Sequence, residues 1–249
     1  MYFHSPLEQF EVVPIIVFPF FNSLSFTNSS MLMVLVLTIS AGFFSLATYR
    51  VKVLPENWQV AGEKFYSFVY SVAYDSLGNT ANRFFPLLFT VFTFILFSNL
   101  LGLIPYSFTI TSHLIVTFGL ALGLFGGINC VGLKKHGLGL LSLWYPGKAP
   151  FALIPMIVVI EAISYIFRVV SLSVRLFANM MAGHALLKIL AGFGWVMFFS
   201  GSVLMIPASF FPTAAVFAVM ILETGVACVQ SYVFLMLICM YLHDALFLH

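Results

Sequence analysis

Glu161, Arg168, Arg175, His184 and Glu223 stand inside the two longest apolar stretches of the chain, residues 151–191 and 203–247. A guanidinium keeps its proton at any physiological pH, and burying one at the centre of a membrane helix costs at least ~2.5–3.5 kcal/mol on insertion scales. Ionisable groups in such stretches are rare and by default mark ion or proton pathways. Seven residues separate Glu161 from Arg168 and Arg168 from Arg175, a step that rotates a helix by only ~20°, so the three form one stripe. Asn179, one turn beyond Arg175, continues it. Glu223 and Gln230 share a face of the second stretch by the same step. If the stretches form an antiparallel hairpin, residues at equal depth have numbers with a constant sum. His184 with Glu223 gives 407 and Arg175 with Gln230 gives 405, both centring the turn near residue 203. The hairpin therefore carries two polar layers: a titratable pair toward the outside, and a permanent cation with an amide near mid-membrane. His184 lies nine residues, a half-turn, beyond Arg175. Either the helix bends near Gly183 or the two residues serve different surfaces.

The rest of the chain has to place that hairpin in a bilayer. It is 62% hydrophobic and 7% charged, with 30 Phe and a mean hydropathy of +1.10, the signature of an integral membrane protein. No stretch is polar enough for a separate extramembrane domain, so residues 1–249 form one membrane domain. A net charge of +2 suggests no nucleic-acid partner. Cys130, Cys228 and Cys239 lack metal-like spacing and serve as small apolar residues. No nucleophile triad, zinc signature or phosphate-binding loop is present, so no cofactor or metal is expected. Such a chain suits moving protons better than covalent chemistry. His4, His113, His136, His243 and His249 fall at ends or loops, and Lys188 snorkels to an interface. Glu8, Glu11, Glu56 and Asp244 read as solvated or interfacial. The N-terminal MYFHSPLEQFE, with acid and no Lys or Arg, resembles neither a secretory signal nor a transit peptide.

The fold class is an all-α membrane protein with about five transmembrane helices and one amphipathic interfacial helix. After an outer segment 1–30, the first span is 31–48, capped by Asn28-Ser29-Ser30. Residues 57–80 contain an amphipathic helix whose apolar positions Trp58, Ala61, Phe65, Phe68 and Val72 recur at steps of three and four. Spans follow at 84–104 and 113–133. In the latter Gly119, Gly123 and Gly127 make a groove for close helix approach, and packing within the chain is favoured over dimerisation. The stretches 151–191 and 203–247 exceed the ~20 residues of a perpendicular span and must tilt or curve. Gly192, Gly194, Gly201 and Ser202 mark the turn between them, and Pro207 and Pro212 make the second one irregular at its start. Lys and Arg number none in residues 1–30, four in 50–83, none in 105–113 and three in 134–148. This alternation puts the N-terminus outside and, after five crossings, the C-terminus inside.

At these residues the chain resembles subunit a of the F-type ATP synthase. The likeness is carried by SVRLFANMMAGH (Ser173–His184), ETGVACVQSYVF (Glu223–Phe234), SNLLGLIP (Ser98–Pro105) and SPLEQFE (Ser5–Glu11). The resemblance implies a stator subunit beside a rotating c-ring, with peripheral-stalk and other membrane subunits as further partners and the nucleotide chemistry elsewhere in the complex. Protons enter one half-channel, neutralise a c-ring carboxylate, travel with the ring and leave by a second half-channel. Arg175 matches the essential arginine that separates the half-channels and favours the ionised carboxylate. Asn179 and Gln230 match positions that orient this centre, His184 and Glu223 the outer pair, and Glu161 the inner half-channel. Arg168 and Ser164 are further candidates. Bacterial relatives generally carry Glu where this chain has His184 and His where it has Glu223. The exchange is as in mitochondrial members, which implies the mitochondrial inner membrane with the N-terminus toward the intermembrane space.

Other readings make different demands. A secondary transporter would show internal repeats and a substrate site at discontinuous helices, and no repeat is found. A structural subunit of a respiratory complex would use these charges only to pair helices, and would tolerate Lys at position 175. An ion channel would conduct without a rotating partner.

Overall fold

The computed structural model describes residues 8–16, 25–49, 52, 54–104, 107–137, 139, 154–200 and 205–247. Its helices are α1 (Asn28–Thr48), α2 (Asn57–Leu77), α3 (Ala81–Gly102), α4 (Leu114–His136), α5 (Ile154–Phe199), α6 (Met205–Ala208) and α7 (Phe210–Leu246). Five helical stretches are long and apolar enough to cross a membrane: Asn28–Thr48, Asn57–Gly102, Leu114–His136, Met156–Phe199 and Phe210–Leu246. The expected five-span, all-α architecture is borne out. The chain clusters into two compact units, one of Met1–Gly42, Phe94–His113 and Leu176–Ser231, the other of Phe43–Thr93, Leu114–Arg175 and Tyr232–His249.

In the first unit the N-terminal segment is tied to the start of α1. Strands β1 (Pro14–Ile16) and β2 (Phe26–Thr27) pair antiparallel. The cap of α1 is Thr27 rather than Asn28-Ser29-Ser30. Thr27 N–H donates to Ser30 Oγ at 2.9 Å, and Ser30 N–H donates back to Thr27 Oγ1 at 3.4 Å, so two of the helix's otherwise unpaired N–H groups are met reciprocally. Asn28 is thereby free to hold the preceding segment, its Oδ1 accepting from Val13 N–H and its Nδ2 donating to the Glu11 carbonyl.

In the second unit α2 and α3 are joined at Gly78, whose φ of +56° lies in the left-handed region that only glycine enters without strain. The buried face of α2 is Gly62, Val69, Val72, Ala73 and Leu77, rotated from the stripe its aromatic spacing predicts. Trp58 and Phe68 stay exposed. The reason is close approach to α1: a Cβ at Gly62 would lie 2.7 Å from Ala47 Cβ, so small residues set the contact and the large rings flank it. Helices α4, α5 and α7 enclose a tight apolar core of Ala121, Phe125, Ile128, Leu172, Phe234 and Ile238. Tyr165 on α5 donates to Asn129 Oδ1 on α4 at 2.7 Å. Lys135 donates to the Leu246 carbonyl at 2.8 Å, and His136 Nε2 meets the same oxygen at 3.0 Å, so two basic side chains of α4 cap the last turn of α7. Along α4 a Cβ added at Gly119, Gly123 or Gly127 would meet nothing within 4 Å. The favoured packing of that stripe within the chain is therefore not found among the described residues.

The long stretches form the expected α5 and α7. Helix α5 runs unbroken through Gly183, Gly192 and Gly194 to Phe199, while Gly201 and Ser202 lie outside the described residues. Gly194 serves contact rather than turning: a Cβ there would approach Thr213 Oγ1 to 3.3 Å. The predicted irregularity at Pro207 and Pro212 is present as the break between α6 and α7 at Ser209.

Candidate functional site

Helix α5 carries two polar surfaces half a turn apart. Glu161, Ser164, Arg168 and Arg175 are exposed, and Asn179 is half-buried. Among the described residues no ion pair joins Glu161 to Arg168, and none engages Arg175. A permanent cation in the middle of an apolar helix is thus exposed, with no ion-pair partner among the described residues. Two helical positions nine apart point in opposite directions, and His184 accordingly turns inward, only 4% exposed. This resolves the phase question without interrupting the helix: Arg175 and His184 serve different surfaces.

His184 meets Glu223 of α7, which is also 4% exposed. The pair is the one predicted from the hairpin register, with Nε2 3.8 Å from Oε1. The approach of Gly194 to Thr213 follows the same sum of 407. At 3.8 Å the two groups are beyond direct hydrogen bonding but within reach of a shared water or a small side-chain movement. Neither Glu223 oxygen nor His184 Nε2 has a hydrogen-bond partner among the described residues. The imidazole is anchored by a hydrogen bond to the Gly102 backbone at the end of α3, which leaves Nε2 to face the carboxyl. Such a pair can hold one proton on either member. Gln230, two turns along the face of Glu223, is buried as well.

Several residues of this site were not singled out by type and spacing. Gly183 is one, since a Cβ there would come within 2.5 Å of Glu223 Oε1 and 2.8 Å of its Cδ. Hydrogen at this position makes room for the carboxyl. Asn99 is fully buried, its Nδ2 donating to the Ala227 carbonyl of α7 at 3.3 Å while its Oδ1 has no partner among the described residues. The hydroxyls of Ser98, Thr109 and Thr111 are buried in the same way. An amide inside an otherwise apolar span was the available signal for Asn99. Buried polar atoms left open by the protein are costly in an apolar interior unless water or a moving proton meets them.

Comparison with known proteins agrees over nearly the whole chain. The family model described as "ATP synthase A chain" matches residues 29–243. ATP synthase subunit a of Chondrus crispus is 45% identical over 248 residues, covering 98% of this chain and 97% of that protein. The protein of the same name from Marchantia polymorpha is 46% identical over 250 residues, with 98% and 99% covered. That from Rhodospirillum rubrum is 42% identical over 247 residues, with 99% and 100% covered.

Proposed function

The chain belongs to the ATP synthase A chain family, and on that premise we propose that it is the stator subunit that passes protons across the membrane through a rotating c-ring. The observation that carries the proposal is Arg175, exposed on a membrane helix and unpaired within its chain among the described residues. Its missing counter-charge is a carboxylate on the c-ring. As a fixed cation Arg175 stabilises that carboxylate in its ionised form and bars protons from leaking directly between half-channels. Asn179 and Gln230 orient this centre. His184 and Glu223 relay protons in the outer half-channel, buried where a proton can be handed from imidazole to carboxyl. Glu161, with Ser164 and Arg168 on the same exposed face, belongs to the inner half-channel. Each proton crossing yields ~2.3 kcal/mol per 100 mV of membrane potential, so several are needed per ATP, whose synthesis lies on other subunits of the complex.

The arrangement of Lys and Arg supports an orientation with the N-terminus toward the outer side and the C-terminus inside. The His184–Glu223 order supports a mitochondrial inner membrane, with the outer side facing the intermembrane space. Peripheral-stalk and other membrane subunits cover further faces.

Arg175→Lys tests this. An ammonium gives up its proton in a desolvated site far more readily than a guanidinium. Vesicles carrying the assembled mutant complex, checked on native gels, are expected to hydrolyse ATP without pumping protons. Near-normal pumping would refute the gate and favour a subunit whose charges only pair helices.

A further inference from the structure

The N-terminal turn Glu8–Phe10 packs against the titratable pair. Phe10 is 8% exposed, and its ring stands edge-on to the His184 imidazole, with centroids 6.1 Å apart and planes at 72°. Beside them lies a cavity of about 80 Å³ lined by Gln9, His184, Lys188, Val216 and Met220 among others. A water needs roughly 10–15 Å³ of such space, so a short file of them fits. Gln9 lines this cavity, and its Nε2 is buried with no hydrogen-bond partner among the described residues. Gln9, His184 and Lys188 thus line one space, large enough for a few waters, at the outer end of α5.

We propose that this turn is a working wall of the outer half-channel, in which Phe10 holds the His184 ring and Gln9 positions the water that delivers protons to it. The inference rests on the outer half-channel assigned above to His184 and Glu223. A neutral amide cannot itself carry the proton through; its donor N–H fixes the water oxygen so that a hydrogen of that water points toward the imidazole. Phe10 supplies what a ring on a helix needs to stay aimed, an apolar side wall, while the Gly102 backbone holds the ring from another side. The charged groups facing His184 are Glu223 from α7 and Lys188 from its own helix. From α3, residues 94–102 contribute none, and Gln9 and Phe10 are neutral.

The test is passive proton flux through the membrane sector of the full complex, in vesicles stripped of the nucleotide-binding sector, measured against outer pH. Gln9→Leu is expected to lower flux about tenfold, the worth of one hydrogen bond to a charged or transferring group. Phe10→Ala should lower it similarly and Phe10→Tyr restore it. Gln9→Glu places a titratable carboxyl on the cavity, so its flux profile should gain an ionisation step that wild type and Gln9→Leu lack. A Gln9→Glu profile that superimposes on wild type overturns the proposal. If the variants fail to assemble, the pair Gln9→Cys and Lys188→Cys decides. A short bifunctional thiol reagent should link them in the assembled complex, and absence of the link overturns the placement. His184→Ala separates the two levels. Unchanged flux in that variant refutes the outer half-channel itself, whereas lost flux with wild-type behaviour at Gln9 and Phe10 refutes only the role of the turn.

Discussion

Gly183→Ala adds a single methyl group where Glu223 leaves no room for it. The new Cβ would lie 2.5 Å from Oε1, 2.8 Å from Cδ and 3.3 Å from Cγ. Ordinary contact begins near 3.4 Å, so Oε1 has to retreat by about 0.9 Å, the difference between 3.4 and 2.5 Å. Overpacking of this kind costs about 1–3 kcal/mol. The displaced group is the free end of a flexible side chain, so the low end of that range applies, and where it is borne by the step that brings Oε1 toward His184 Nε2, about 1 kcal/mol slows pumping about fivefold. The assay is ATP-driven acidification of vesicles, with assembly and ATP hydrolysis measured on the same preparations. Glu223→Asp supplies the internal control. Shortening the side chain by one methylene vacates the space opposite Gly183 but draws the carboxyl away from His184, so it too should slow pumping. Combined with Gly183→Ala, however, it removes the clash, and the double variant should pump faster than the product of the two single losses. Gly183→Ala pumping within twofold of wild type in an assembled complex would refute the cradle. A double variant no better than that product would show that the losses arise independently.

Three further outcomes follow from packing. Gly62→Ala should destabilise the α1–α2 contact by about 1–3 kcal/mol because its Cβ meets Ala47 at 2.7 Å; a lowered thermal midpoint of the detergent-solubilised complex, recovered by adding Ala47→Gly, is the check. Tyr165→Phe and Asn129→Leu should each cost about 0.6 kcal/mol, the usual worth of a hydrogen bond between membrane helices. The double variant should cost no more than one of them, and additive costs would show that the bond is not what each loses. Lys135→Met removes one of the two side chains on the Leu246 carbonyl and leaves His136, so it should cost about 0.5 kcal/mol, the low end for one hydrogen bond. Hydrogen exchange should speed up in the last turn of α7 while proton pumping stays unchanged; slowed pumping would mean that Lys135 serves the proton path as well.

The features legible from sequence are those set by period and by sum. Apolar length found the spans, and the seven-residue steps found the exposed stripe of Glu161, Arg168 and Arg175. A constant sum of residue numbers found the His184–Glu223 contact 39 positions apart in the chain. What was not legible depends on distances between helices. Glycine looks the same in a turn, in a groove and in a close contact. Gly194 was read as turning and is instead a contact, and a Cβ added along the Gly119–Gly127 stripe would meet no atom within 4 Å among the described residues. The face of α2 that packs within the chain was not legible for the same reason: hydrophobic spacing counts large side chains, whereas Gly62 and Ala47 decide how near the backbones come. Asn179 and Gln230 drew attention because they fall at helical spacing from Arg175 and Glu223, whereas Asn99 and Gln9 have no such neighbour inside an apolar stretch. Their importance emerges only when burial leaves one of their atoms without a partner.

The half-turn between Arg175 and His184 has a physical consequence for any proton path along α5. A fixed cation close to a titratable relay would repel the proton at the very step where it must be held. Interaction between unit charges falls with distance and with the polarity of what lies between them. Placing Arg175 on the outward surface and His184 on the inward one separates the two by the helix itself as well as by nine residues of rise, ~13.5 Å at 1.5 Å per residue. Arg175 can then act on a carboxylate outside the chain without suppressing protonation of the pair inside it. A helix bent at Gly183 to bring both onto one face would forfeit that separation, which gives a physical reason for the phase that α5 keeps.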